Sequence, residues 1–93
     1  MQAVAQMEIV RGEARQMLDE TSAHIDSLST RLANARPRKD NRAEIEMMKQ
    51  DVMAFAQQLQ EAETDFANGD YDTAKMKVAA VAEKVEAMNA QLP

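Results

Sequence analysis

Apolar residues recur along this chain at alternating intervals of three and four, in three separate stretches. The second stretch reads Ile45, Met48, Val52, Phe55, Leu59, Ala62, Phe66, and the third Tyr71, Ala74, Val78, Val81, Val85, Met88, Leu92. The first reads Val4, Met7, Arg11, Ala14, Leu18, Thr21, Ile25, Leu28, Leu32, Ala35, with Arg11 and Thr21 as polar interruptions. Such spacing places the apolar side chains on one stripe of an α-helix and gives each helix a seam to bury. It predicts an all-α fold, an elongated antiparallel three-helix bundle with heptad, coiled-coil-like packing. The helices span about residues 2–35, 41–67 and 71–91 of a single domain covering 1–93.

The breaks between stretches carry helix-ending chemistry. Pro37 disfavours helix at Arg36 and has no N–H to donate. Asp40 or Asn41 can cap the second helix, and with Asn41 as cap Glu44 falls at the third helical position, a variant of the capping box. In Asn68-Gly69-Asp70, Gly69 supplies the left-handed residue that ends a helix and Asp70 caps the next. Both connections are short, so consecutive helices run antiparallel.

The predicted helices are roughly 50, 42 and 32 Å long at 1.5 Å per residue. A third helix that starts at Gly69 is then too short to reach Pro37. The expectation is a projecting helix 1–helix 2 hairpin whose seam residues Ile25, Leu28, Leu32, Ile45 and Met48 are uncovered. An uncovered seam calls for a partner, often a second copy of the chain. A long first helix on a short hinge also permits exchange of that helix between copies.

Composition narrows the picture. Seventeen Ala against two Phe, one Tyr and no Trp mean that helices must approach closely to bury so little side-chain volume. Cys is absent, which removes disulfides, thiolate metal sites and thiol nucleophiles. The net charge of −5 argues against nucleic acid or an anionic membrane as partner. No stretch is long and apolar enough for an integral membrane segment. The opening MQAVAQMEIVRGEAR lacks the charged start and apolar run of a signal peptide.

The charge is unevenly placed. Residues 31–42 hold Arg31, Arg36, Arg38, Lys39 and Arg42 against Asp40, a net +4, while the remainder carries −9. At the other end Glu61, Glu63, Asp65, Asp70 and Asp72 stand without a base. The rod is expected to have a basic tip and an acidic tip, suited to electrostatic docking or head-to-tail association. Ordinary solvated loops with matched helix dipoles would have the same charge pattern.

Candidate chemistry is sparse. His24 is the only histidine and flanks the first seam, a poor start for a metal site. Met7, Met48 and Met88 fall on seams and Met17 beside one, as adaptable core filling; Met47, Met53 and Met76 are less clearly buried and offer a Met-lined contact surface. The Asp65–Asp72 run fails as a calcium loop, since the required Gly and Glu positions hold other residues. Glu44/Glu46 and Glu61/Glu63 diverge around their helices, and Arg42–Glu46, Glu46–Lys49 and Asp72–Lys75 read as surface pairs. Arg11 and Thr21 either fix the register or mark exposed first turns. With no nucleophile, phosphate loop or cofactor motif, an enzyme is not expected.

Residues 43–88, with Gly69-Asp70-Tyr71 followed by Ala74, resemble an uncharacterised family of short, Ala-rich helical bacterial envelope proteins, often lipoproteins. The resemblance covers roughly half the chain and implies an exported protein, although a lipid-attachment Cys is missing. Tetratricopeptide helix pairs share this turn, but their helices are about half as long. The overall expectation is a non-enzymatic interaction or scaffold module, a homo-oligomer without cofactor, in the bacterial envelope or the cytoplasm. The alternative is a small periplasmic holdase-like chaperone that binds apolar clients through a Met/Ala-rich face.

Overall fold

The computed structural model describes residues 2–36 and 38–92, with side chains from Gln6 onward. Three helices form a bundle: α1 (Gln2–Asn34), α2 (Arg42–Ala67) and α3 (Tyr71–Gln91). All three pairs of helices pack against one another. The molecule measures 60 × 19 × 16 Å. Pro37, Pro93 and the Val4 side chain lie outside the described residues.

The buried positions follow the three–four spacing. Leu18, Ile25, Leu28 and Leu32 of α1 meet Val52, Phe55 and Leu59 of α2 and Val78, Val81, Val85 and Met88 of α3 in one cluster. Met17, Met48, Phe66 and Leu92 pack on its margins. Thr21 is 3% exposed and lies inside the core, whereas Arg11 is exposed. The two polar interruptions therefore separate: one belongs to the packed stripe and the other to turns outside it.

Polar pairs on the surface fix the register. Glu13 meets Lys75 and Arg31 meets Asn89, offsets of 62 and 58, so α1 and α3 run parallel. Lys77 meets Asp65 and Lys84 meets Gln58, as an antiparallel pair requires. Ala14, Ala62 and Ala74, one on each helix, are each fully buried. Side chains this small let the helices close tightly toward the α2–α3 turn.

That turn is built by backbone bonds. Gly69, at φ +87°, donates its N–H to Phe66 O at 3.0 Å, and Asp70 donates to Asp65 O at 2.8 Å. This is the Schellman arrangement, which satisfies carbonyls at the end of α2. Asp70 occupies the cap position of α3 but makes no side-chain cap bond. Asn41 likewise precedes α2 without capping it; its Oδ1 instead accepts the Arg38 N–H at 2.6 Å. The Arg38 carbonyl in turn accepts from the N–H groups of Asn41 and Arg42, closing the basic connection on itself.

The hairpin projects far less than its helix lengths suggest, and its seam is not uncovered. Ile25, Leu28, Leu32 and Ile45 are buried, Ile45 at 8% exposure, and Met48 is half-buried. Leu92, just past the end of α3, shares an opening with Ile45 and Met48. The reason is that only Arg42–Glu44, the first turn of α2, extends beyond α3, and no seam residue falls there. The surplus length of α1 emerges at the opposite end instead. Since Lys75 stands opposite Glu13, the start of α3 at Tyr71 is level with about Val10, and the turns of α1 before it run on alone.

Candidate functional site

The projecting turns of α1 carry exposed apolar side chains at one end of the rod. Met7 is 56% and Ile9 60% exposed, and Val10 is half-buried. Met7 stands on the heptad stripe and was expected in the core; it is outside because α2 and α3 end before reaching it. Gln6, Met7, Ile9 and Val10 form a groove of about 730 Å³ with Gly69, Tyr71 and Asp72.

The floor of this end is closed by an aromatic pair. Phe66 and Tyr71 meet edge to face with centroids 5.1 Å apart. The Arg15 guanidinium lies over the Phe66 ring, 5.1 Å from its centroid, and donates to Asp19 at 2.8 Å and Glu63 at 3.4 Å. The bond to Asp19 holds Arg15 above the ordinary arginine range, partial burial opposes this, and Glu63 adds to it. Lys75 reaches across to Glu13 at 2.7 Å instead of pairing with Asp72. Lys77 pairs with Asp65 at 2.7 Å, which raises its pKa despite some desolvation. Of the acidic residues at this end, Glu61, Asp70 and Asp72 are exposed and form no ion pair among the described residues.

The opposite end is basic. Arg36, Arg38, Lys39 and Arg42 are exposed. Arg31 is not part of this free charge: it is half-buried and donates to Asn89 of α3. Arg36 and Arg38 line an opening of about 400 Å³ with Ala35, Ile45, Met48 and Leu92, and Glu44 is an acid at its rim. Of the predicted tip and seam residues, Arg36 and Arg38 meet Ile45 and Met48 here, while Ile25, Leu28 and Leu32 lie in the core, away from the opening. Its apolar part is the shallow edge of a packed core.

The remaining candidates stay dispersed. His24 is exposed in a shallow groove with Ser27, Val85 and Glu86. Met88 is core, as its position predicts. Met47, Met53 and Met76 are exposed; Met53 lines a groove with Ser29, Leu32 and Lys49 that neither of the others enters. Among the described residues no group of three or more His, Cys, Asp or Glu side chains could hold a metal ion. No described helix is long and apolar enough to cross a membrane.

The projecting α1 surface escaped the sequence reading because helix lengths alone do not say at which end a surplus emerges. The signal available was Arg11: a charge on the stripe marks where partner helices stop. Comparison with family models, curated proteins and solved structures finds no match to this chain.

Proposed function

We propose that this chain is a non-catalytic helical interaction module that self-associates, with the projecting amino-terminal turns of α1 as its contact surface. The observation that carries the reading is the exposure of Met7 and Ile9 beside half-buried Val10 and Tyr71, on a helix that neither α2 nor α3 accompanies. A single helix with an apolar stripe gains little by standing in water and much by meeting another helix. Met7 continues the heptad stripe of α1, so a partner helix would extend the bundle as a coiled coil. The seam of Ile25, Leu28, Leu32 and Ile45 is already occupied by α3 and does not supply the contact. Met53 lines a groove that Met47 and Met76 do not enter, so the client-holding alternative draws less support from the exposed methionines. Placement in the bacterial envelope is carried by the resemblance of residues 43–88 alone.

Light scattering from micromolar to millimolar protein tests the reading. The expected result is a mass that rises above the 10.4 kDa chain and returns to it in Ile9→Glu, with helicity and melting unchanged. A strict monomer over the whole range, the same for both proteins, overturns it.

A further inference from the structure

We infer that the partner of the projecting α1 turns is the opposite end of a second copy, so that the chain assembles head to tail. The inference rests on the reading above and supplies its partner.

The two ends are complementary in charge. Around the projecting turns, Asp70 and Asp72 are exposed beside the apolar groove of Met7, Val10 and Tyr71. At the far end, Arg36 and Arg38 line the opening with Ile45, Met48 and Leu92, and Lys39 and Arg42 are exposed in the same connection and at the start of α2. None of these six charged side chains forms an ion pair among the described residues, whereas Glu13, Glu63 and Asp65 are already matched by Lys75, Arg15 and Lys77. Two acidic ends meeting about a two-fold axis would bring Asp70 and Asp72 of both copies together, and like charges disfavour that approach. An acidic end meeting a basic end matches them.

The direction of the helices agrees. Because α1 and α3 run parallel, a second copy placed beyond the basic end points the start of its α1 at the finish of α3 in the first. The first turn of α1 carries no acid and the last turn of α3 carries no base, so neither side chain set cancels the helix dipoles that face each other. The α1–α2 connection beyond Leu92 then forms a basic wall opposite the acidic Gly69 turn of the incoming copy. Such a contact is heterologous, and straight rods 60 Å long joined end to end give open chains.

The absence of cysteine makes the contact directly testable by disulfide trapping. Gln6 lines the projecting groove and Gln91 the basic-end opening. Mixing Gln6→Cys protein with Gln91→Cys protein under mild oxidation should yield the mixed dimer in preference to either homodimer, and the double variant should yield a ladder. Arg38→Glu with Arg42→Glu should weaken association on the order of tenfold, as should the step from low to high salt. Homodimers of the Gln6→Cys protein, with a mass that plateaus at two chains, overturn the head-to-tail arrangement while keeping α1 as the contact surface. Trapping of no species, with a monomeric mass, overturns both.

Discussion

Arg15 lies over the ring of Phe66, its guanidinium carbon 5.1 Å from the ring centroid, and the contact joins α1 to the last turn of α2 where the bundle ends. The same side chain donates to Asp19 and Glu63, so the plane of the guanidinium is held by carboxylates on two helices. A flat, forked cation satisfies both roles at once, and an ammonium satisfies one. Arg15→Ala is expected to lower unfolding free energy by about 1 kcal/mol, with Arg15→Lys recovering less than half. Urea denaturation of the three proteins checks this, and full recovery by lysine would mean that charge alone matters.

Ile45 and Leu28 test whether the α1–α2 seam is core or interface. Both are buried within one chain, so Ile45→Asp places a carboxylate at a buried position beside Leu92. The expected outcome is loss of cooperative melting at any protein concentration. Leu28→Ala should cost about 2–5 kcal/mol, as for a cavity in a packed core. A folded Ile45→Asp protein that had merely lost self-association would return the seam to the role of an interface.

The two glycines should respond to alanine with opposite signs. An added Cβ meets no atom within 4 Å at either position, so space does not decide the outcome. Gly69 sits at φ +87°, where a side chain costs about 1 kcal/mol or more. Gly12 lies inside α1, where alanine gains roughly 1 kcal/mol in helix propensity. Thermal melts of Gly69→Ala and Gly12→Ala should therefore move down and up respectively, and a shared direction would refute the backbone argument.

Lys77 gives the bundle an alkaline dependence. Pairing with Asp65 raises its pKa in the folded chain above the ordinary 10.5, and burial only partly opposes this. The stability from this pair is then fully present below pH 10.5 and is lost as pH rises through the higher folded value. Wild type should melt above Lys77→Met at neutral pH, and the difference should shrink only beyond pH 10.5. A difference that vanished between neutrality and pH 10.5 would point to another group.

Periodicity and turn chemistry determined most of the fold from the residues alone. Leu18, Val52, Val78 and their three–four neighbours could satisfy a helix stripe in only one way, and Gly69 could end a helix more cheaply than any other residue there. These are local properties, set by the geometry of one helix or one turn. What only the tertiary structure decided is longitudinal register. The position of α3 along α1 depends on which side chains pack best across helices, including buried Ala14, Ala62 and Ala74 and the Lys75–Glu13 and Arg31–Asn89 pairs. A slide of one heptad preserves every stripe and changes both ends of the rod. For that reason the stripe identified Ile25, Leu28, Leu32 and Ile45 as apolar seam without revealing that α3 covers them, and without showing that Met7 and Ile9 stand free at the other end.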